Sequence, residues 1–337
     1  MKKINKYISE KLHINKDIGN HIEIKYNYHP KTRDELQELV NNLIEEHGIK
    51  VNLNDIDTSQ ITDMSRMFEN SKFNGDISKW DVSKVENMYG MFMNSKFTGE
   101  NGDISNWDVS NVKDMDSMFY ESSFNGDISV WDVSKVENMN DMFFGSKFNG
   151  DISKWNVRNV KEMQKMFSCS NFNGDISKWD VSNVKDMAYM FDESYFYEDI
   201  SKWNVSNVKN MYGMFSNSEF NKDISKWNVS NVENMSHLFS HAKFNGDISK
   251  WNVSNVENMD SMFYKSEFNG DISNWDVSNV ENMHTMFAES KFTAANGDIS
   301  NWNVRNVKDM DGMFEDTILE KNPPKWYKRK FKLFSWG

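Results

Sequence analysis

The sequence has almost no cysteine. Cys169 is the single one among 337 residues, so no intramolecular disulfide framework exists, and the chain fits a reducing compartment or a fold without covalent cross-links. No His or Asn accompanies Cys169 in a motif that would make its thiol a catalytic nucleophile. A phosphate-binding glycine loop and a nucleophile elbow are also missing. We therefore expect no enzyme, unless residues 1–50 complete a site with the residues that follow.

Long apolar runs are missing as well. No segment approaches the roughly 18 uninterrupted apolar residues of a membrane-spanning helix. The first eight residues are basic, but Ser9, Glu10, Lys11 and His13 interrupt them before an apolar run of signal-peptide length forms. We expect a cytoplasmic location by default, with association with a cell surface or a virion as the alternative.

Positive charge is scarce and unevenly placed. The chain has 39 basic and 51 acidic residues, for a net charge of -12. Residues 1–50 carry nine basic and eight acidic residues, or +1, and residues 321–337 carry six basic and no acidic residues, or +6. The stretch between them therefore holds -19. Because such a surface repels phosphate backbones, we expect no nucleic-acid binding by this middle stretch.

The chain is rich in tryptophan at a regular spacing. Successive tryptophans are 24 residues apart, except that the first and last intervals are 27 residues: Trp80, Trp107, Trp131, Trp155, Trp179, Trp203, Trp227, Trp251, Trp275 and Trp302. Both longer intervals contain three inserted residues at the same place, in 97–102 and 292–297, where most units read Phe-Asn-Gly. That place is predicted to be an exposed loop tip. Residues 51–320 are thus predicted to be about ten to eleven copies of one unit.

Each unit has too many apolar residues to bury alone. In residues 148–170, as in nearly every unit, eight of 24 positions are apolar, and stacked neighbours bury such a set where a single unit does not. Within the unit, Asp151 to Val157 has the short apolar spacing of a strand. The three-residue spacing of Val160, Met163 and Met166 predicts one or two turns of α or 3₁₀ helix. The predicted fold class is an α/β repeat.

The repeated phrase also resembles a known family. Residues 268–287 read Phe-Asn-Gly-Asp-Ile-Ser-Asn-Trp-Asp-Val-Ser-Asn-Val-Glu-Asn-Met-His-Thr-Met-Phe, which is similar to the repeat of BspA-type leucine-rich-repeat surface proteins. The resemblance covers about four fifths of the chain. It implies a leucine-rich-repeat-like solenoid of short strands and short helical turns. Better-known members of that family are exported bacterial adhesins that bind host proteins, and similar repeats occur in proteins of gut bacteriophages. This chain differs from the adhesins in showing no signal peptide or lipid-anchoring cysteine near its start.

The two ends differ from the repeats. Residues 1–50 are predicted to be a cap with a strand at His21 to Tyr26 and a helix within 31–48, because Thr32 and Glu35 have capping-box spacing and Gly48 is a stop signal. Its apolar stripe is Leu36, Leu39, Val40, Leu43 and Ile44. Residues 321–337 place Trp326 in register with the other tryptophans, and Pro323 and Pro324 stop the repeat. We expect this basic aromatic segment to close the core through Phe331, Leu333 and Trp336. A membrane or nucleic-acid tag and an attachment segment for a partner are the alternatives.

One column of the repeat is always aspartate. We interpret it as a ladder of Asx turns, with calcium binding as the alternative, because each unit adds only one constant carboxylate and calcium needs six or more oxygen ligands. Its members are Asp76, Asp103, Asp127, Asp151, Asp175, Asp199, Asp223, Asp247, Asp271 and Asp298. The residue after each Trp is Asp in some units and Asn in others, which indicates a need for an acceptor and not for a charge. His237 and His241, four residues apart on a predicted helical face, and His284 favour a solvated surface over a metal pair. We expect no metal and no cofactor.

Other columns vary, namely the two positions between the first Met and the Met-Phe pair and the two positions after the Phe. They are predicted to be exposed and are rich in Tyr, Asp, Asn and Gly, as many binding surfaces are. The unit around Tyr195 and Tyr197 also replaces Asn-Gly by Tyr-Glu. The candidate binding residues are Tyr89, Tyr120, Tyr189, Tyr195, Tyr197, Tyr212 and Tyr264. We expect another protein as the partner, with neutral drift of these columns, or a structural or virion component that docks through its ends, as alternatives.

Overall fold

A computed structural model describes residues 28–327 of the chain. The predicted strand from His21 to Tyr26 and the predicted closing residues Phe331, Leu333 and Trp336 lie outside the described residues. Within the described range, the regular elements are an α-helix, α1 (Arg33–His47), and a 3₁₀ turn at Ile318–Glu320. Neither is long and apolar enough to cross a membrane.

The helix α1 covers the first unit. The Thr32 hydroxyl accepts a hydrogen bond from the Glu35 N–H, and Gly48, at φ 88°, ends the helix. Leu36, Val40 and Leu43 are buried, while Leu39 and Ile44 are partly buried against the same core. The Arg33 side chain donates to the Ser65 carbonyl at 2.8 Å and the Gln37 side chain donates to the Met67 carbonyl at 3.0 Å. Because no repeat unit precedes these carbonyls, α1 supplies the donors that a preceding unit would supply.

Each unit lies on the next one in parallel. Single parallel bridges connect the residue before the first Met of successive units, in one column of eleven positions: Asp63, Asn87, Asp114, Asn138, Glu162, Asp186, Asn210, Asn234, Asn258, Asn282 and Asp309. Beside this column, alternate N–H groups donate forward to the next unit. Met64 donates to the Asn87 carbonyl at 2.9 Å and Phe68 donates to the Met91 carbonyl at 2.8 Å. Backbone hydrogen bonds within a unit close its turns, and those to the neighbouring units hold the stack together.

The predicted strands and helical turns are wrong for the described residues. The segment from Asp151 to Val157 makes turns, in which Ser153 donates to the Asp151 side chain and Trp155 donates to the Ile152 carbonyl. The segment after Met163 also makes turns. In all eleven units, two residues have φ between 47° and 66°. One is the second of the two residues between the first Met and the Met-Phe pair, and the other is the second residue after the Phe. Because a right-handed helix requires negative φ at every residue, the three-residue apolar spacing reflects successive turns.

The core consists of columns of identical side chains. The tryptophans from Trp80 to Trp302 are 3% to 5% exposed, and each indole N–H donates to the isoleucine carbonyl of the preceding unit, or to the Leu53 carbonyl in the case of Trp80. The Phe columns stack from unit to unit, with the Phe167 ring centroid 4.2 Å from that of Phe172 and 5.9 Å from that of Phe191. Because each ring packs on its copies along the stack, a unit depends on its neighbours for its own burial.

Candidate binding face

The variable columns form one face of the stack, which we call the turn face. It contains the two residues between the first Met and the Met-Phe pair and the two residues after the Phe of each unit, from Ser65 to Asp316. The second residue of each pair has the positive φ described above, and in the first ten units its N–H donates to the next unit. The Lys165 N–H, for example, donates to the Ala188 carbonyl at 2.8 Å. These inter-unit bonds hold the backbone in an unfavourable conformation, so the face has a regular backbone that presents irregular side chains.

The turn face is acidic. Three of its side chains are lysine or arginine: Arg66, Lys165 and Lys265. Eleven carry carboxylates: Glu69, Asp116, Glu121, Asp141, Asp192, Glu193, Asp260, Glu289, Asp311, Glu315 and Asp316. The excess of carboxylates attracts positively charged groups.

An aromatic row lies in the middle of the turn face. The Tyr189 and Tyr212 rings meet edge to face with centroids 4.6 Å apart, and the His237 ring lies 5.4 Å from Tyr212. Gly213 makes room for this row, because a Cβ at that position would lie 2.6 Å from the Tyr189 ring. Burial, together with a hydrogen bond to Tyr212, raises the pKa of the Tyr189 hydroxyl well above its usual range. The row is therefore a partly desolvated aromatic surface.

Half-buried carboxylates accompany this row. Burial raises the pKa of Asp192 above its usual range, against hydrogen bonds with Ser216 and Asn217 that lower it. Burial likewise raises the pKa of Asp141, to which Asp116 also contributes and which Lys165 opposes. A carboxylate with a raised pKa is poorly solvated when it is ionised, so a cationic group brought to it from outside would be bound favourably.

The other predicted tyrosines are not all in one place or equally exposed. Tyr89 accepts a hydrogen bond from Arg66 at 3.0 Å, Tyr120 stacks on Phe144 at 4.6 Å, and Tyr264 donates to Glu289 at 2.9 Å. All three are half-buried, as are Tyr189 and Tyr212. The expectation that the variable columns are exposed is thus wrong for all five of their tyrosines, because side chains of neighbouring units cover each other.

Tyr195 and Tyr197 are the two exposed tyrosines of the seven, at 71% and 48% exposure. They lie outside the turn face, a few residues along the same unit, and the Lys222 ammonium lies 3.6 Å from the Tyr197 ring centroid. The structure also reveals what Tyr197 replaces. In neighbouring units an asparagine side chain accepts the N–H of the next asparagine, as Asn149 does from Asn173 at 2.9 Å. Sequence reasoning missed this asparagine ladder, although its 24-residue spacing was visible.

The presence of tyrosine at position 197, where neighbouring units have asparagine, costs the ladder a hydrogen bond. Tyr197 has no side-chain oxygen in the ladder position, and no described residue accepts a hydrogen bond from the Asn221 N–H. The following Asn-Gly glycine is also replaced, by Glu198 and Lys222. At Gly174 a Cβ would lie 2.9 Å from the Phe172 ring, a contact that these two residues must accommodate. The regular geometry does not account for this departure.

The aspartate column lies away from the turn face. Each member accepts the N–H of the serine two residues later, as Asp175 does from Ser177 at 2.9 Å, which is the geometry of an Asx turn. Hydrogen bonds from Ser177 lower the pKa of Asp175. The Asp or Asn after Trp makes the same turn, at 3.0 Å for Asp81 and 3.2 Å for Asn204. These carboxylates are therefore already engaged by the backbone.

The histidines do not share a helical face. His237 and His241 both have φ 56°, and each packs edge to face on a different tyrosine, Tyr212 and Tyr264 respectively. Within residues 28–327, no group of three or more His, Cys, Asp or Glu side chains is placed to hold a metal ion.

The fold and this face define a repeat protein with a constant core and a variable surface. Comparison with known proteins identifies its family. The family described as "Mycoplasma protein of unknown function, DUF285" matches in five overlapping stretches, 35–147, 93–195, 144–245, 169–267 and 213–326. The chain belongs to this family, and the prediction of a repeat protein is confirmed. No curated protein matches the chain, and no solved structure matches it.

Proposed function

We propose that this chain is a non-catalytic solenoid, of the kind found in BspA-type leucine-rich-repeat proteins, that binds another protein through its turn face. The observation that carries the proposal is the half-buried aromatic row of Tyr189, Tyr212 and His237 beside the raised-pKa carboxylate of Asp192. Residues 51–320 form the solenoid in this proposal, between a cap at 1–50 and a closing segment at 321–337.

The chemistry of the face favours a partner with a basic surface. Eleven carboxylates against three cations attract lysine and arginine side chains and accelerate encounter. The aromatic row adds area that loses little side-chain entropy on binding, since each ring is already held by its neighbours. Lysine or arginine of the partner would gain both an ion pair with Asp192 and a contact with a tyrosine face.

The surface around Tyr195 and Tyr197 supports the proposal from a second side. Two exposed tyrosines lie here, and Tyr197, beneath Lys222, interrupts the asparagine ladder at a cost in hydrogen bonding. A residue that interrupts an otherwise regular ladder and increases the exposed aromatic area is what a contact surface requires. We include both tyrosines in the proposed contact region.

The proposal is tested by cross-linking the intact chain to its partners and identifying them by mass spectrometry. The doubly substituted variant Tyr189→Ser with Tyr212→Ser should lose the partner. A matched variant, Lys178→Ser with Lys202→Ser, changes two exposed residues beside the Trp column and should retain it. The recovered complex should weaken as salt is raised. Failure to recover a specific partner, or equal recovery with both variants, would contradict the proposal.

A structural component that docks through its ends, bacterial or virion-associated, is the second candidate. Half-exposed apolar side chains at the C-terminal end of the stack, among them Val304 and Val307, favour it. Sedimentation at high concentration tests it, since a strictly monomeric chain that is absent from any particle would count against this function.

A further inference from the structure

One exposed row of the stack carries charges of both signs. The row, which we call the charge row, contains the residue six positions after each tryptophan in ten successive units: Glu86, Lys113, Glu137, Lys161, Lys185, Lys209, Glu233, Glu257, Glu281 and Lys308. All ten residues are exposed. From Lys113 onward, each N–H donates to the carbonyl of the preceding member, as Lys185 does to Lys161 at 2.8 Å. The backbone therefore holds these charges in one row, spaced by one unit.

The order of the charges is not the one that favours a single copy of the chain. Opposite charges that are adjacent in the row form ion pairs within the chain: Lys113 with Glu86, Lys161 with Glu137, Lys209 with Glu233 and Lys308 with Glu281. The middle of the row nevertheless stacks three lysines and then three glutamates. Lys185 lies between two lysines and Glu257 lies between two glutamates, at the roughly 4.8 Å spacing of paired backbones. Because like charges at this distance repel, the folding of one copy does not explain the order.

The order of signs is complementary to its own reverse. From Glu137 to Lys308 it reads minus, plus, plus, plus, minus, minus, minus, plus, and the same order results when it is read backwards with the signs exchanged. A two-fold axis between Lys209 and Glu233 therefore places unlike charges of two antiparallel copies opposite each other: Glu137 with Lys308, Lys161 with Glu281, Lys185 with Glu257, and Lys209 with Glu233. Among the ten described positions, no other antiparallel register that overlaps more than four units avoids like-charge pairs.

Two neighbouring rows are compatible with the same axis. One is the exposed residue after each tryptophan, whose aspartates face asparagines: Asp132 with Asn303, Asp180 with Asn252, and Asp276 with Asn156. The other is the residue before the first Met of each unit, whose carboxylates also face asparagines: Glu162 with Asn282, Asp186 with Asn258, and Asp309 with Asn138. Side-chain amides donate hydrogen bonds to carboxylates. Neither row therefore brings like charges together in the antiparallel arrangement.

A groove runs beside the glutamates of the charge row. It is lined by side chains from three successive units: Asn255, Glu257, Asn279, Glu281, Asn306 and Lys308. Its asparagines are held in place by hydrogen bonds to the preceding unit, as the Asn255 amide donates to the Ser230 carbonyl at 2.7 Å. Carboxylates in a polar groove attract an ammonium group. In the antiparallel arrangement, the lysines opposite this groove are Lys161 and Lys185 of the other copy.

We propose that the charge row joins two copies of this chain side by side in antiparallel orientation. Lys185 of each copy lies against Glu257 of the other, and eight facing pairs of unlike charge form along the row. Exposed ion pairs are individually weak, so the dimer depends on their number and on the absence of like-charge pairs. The charge row contains no residue of the turn face, so the proposal is independent of the function proposed for that face.

Charge reversals test the pairing by sedimentation equilibrium of the full chain. Lys185→Glu brings two carboxylates together at each Glu257, and Glu257→Lys brings two ammonium groups together at each Lys185. Each variant should therefore dimerise at least about tenfold more weakly than the unmodified chain. An equimolar mixture of the two variants should regain the dimer as a heterodimer, because every facing pair is then unlike. The double variant Lys185→Glu with Glu257→Lys should regain it as a homodimer.

Two controls separate the pairing from net charge and from folding. Lys178→Glu and Glu219→Lys change the net charge by the same amounts at exposed residues outside the row and should leave dimerisation unchanged. Each single reversal in the charge row makes the neighbouring charges alternate, so dilute protein should unfold at or above the temperature of the unmodified chain. A monomeric unmodified chain, a dimer that both single reversals retain, or a mixture that stays monomeric would overturn the proposal.

Zero-length cross-linking tests the register of the two copies. A carbodiimide joins a lysine amine directly to a carboxylate, and Lys185 and Glu257 of one copy are three units, roughly 14 Å, apart. A peptide that joins these two residues should therefore form only between copies, and a mixture of nitrogen-15-labelled and unlabelled chains should yield it in mixed-isotope form. Lys161 with Glu281 should form a second such peptide. Mixed-isotope peptides that join Lys185 to other glutamates of the row in place of Glu257 would overturn the antiparallel register.

Discussion

The two sides of each unit hold their carboxylates in opposite ways. In the aspartate column, exposed carboxylates such as that of Asp175 accept backbone N–H groups, and their pKa is lowered. On the turn face, half-buried carboxylates such as those of Asp141 and Asp192 have a raised pKa because burial disfavours their charge. The first side repeats one residue in ten units, and the second changes at nearly every unit. Charge in the aspartate column supports the turn, while the charges of Asp141 and Asp192 oppose folding and are not explained by stability.

Aromatic residues should separate the two sides most strongly. Trp179 is 4% exposed, donates to the Ile152 carbonyl and stacks on Trp155, so Trp179→Ala should cost about 3 to 5 kcal/mol of unfolding free energy. Tyr189 is half-buried and makes no comparable contact with the core, so Tyr189→Ala should cost about 1 kcal/mol or less. Urea unfolding followed by circular dichroism measures both. Equal losses of unfolding free energy would contradict the distinction between the structural core columns and the turn face.

The repeat itself could be predicted because large apolar residues recur in the sequence at a regular spacing. The 24-residue spacing of Trp80 to Trp302 identifies the unit and the loop tips, and the capping residues of α1 are explicit in Thr32 and Gly48. Local structure within the unit could not be predicted. The rules that relate apolar spacing to strands and helices assume hydrogen bonds within an element or to an adjacent strand, whereas the Lys165 N–H donates to a residue in the next unit from a left-handed conformation.

The candidate site could be predicted only in part, for a related reason. Tyr189 and Tyr212 occupy different positions of their units, 23 residues apart, and their contact depends on a left-handed residue at Tyr189 and on the space at Gly213. Neither requirement is visible in a spacing rule. The peculiarity of Tyr195 and Tyr197, by contrast, appears directly in the sequence as a break in the Asn-Gly pattern.

Glycine substitutions at two lysines of one unit should change the unfolding free energy in opposite directions. Lys165 has φ 53°, so Lys165→Gly should relieve backbone strain and raise the unfolding free energy by up to about 1 kcal/mol. Lys154 is exposed near the Trp column without a positive φ, so Lys154→Gly should lower it by about 0.5 to 1 kcal/mol. Thermal unfolding of both variants measures the difference. A loss at Lys165 equal to that at Lys154 would contradict the left-handed turns.

The aspartate column should respond to side-chain chemistry and to acid. Asp175→Ala removes the acceptor of the Ser177 N–H and should cost about 0.5 to 1 kcal/mol, while Asp175→Asn keeps an oxygen and should cost less. Because the folded-state pKa is lowered, the stabilising effect of the charge is complete above the unfolded value of 3.8 and is lost as pH falls through the folded pKa. Unfolding free energies at pH 7 and at pH 3 should therefore differ less for Asp175→Asn than for the unmodified chain.

Asp141 on the turn face should show the reverse pH response with a smaller amplitude. Its folded-state pKa is raised above 3.8 by burial, so its ionised form destabilises the fold above that pKa, and the penalty disappears as pH falls below the unfolded value. Asp141→Asn should gain a few tenths of a kcal/mol at pH 7, since partial exposure screens the charge, and should gain almost nothing at pH 3. The same measurements on Asp175→Asn provide the control of opposite sign. If Asp141→Asn is more stable yet recovers less of the cross-linked partner, the charge of Asp141 serves binding at the expense of stability. A loss of stability at pH 7 would instead contradict the conclusion that the Asp141 carboxylate is half-buried and poorly solvated.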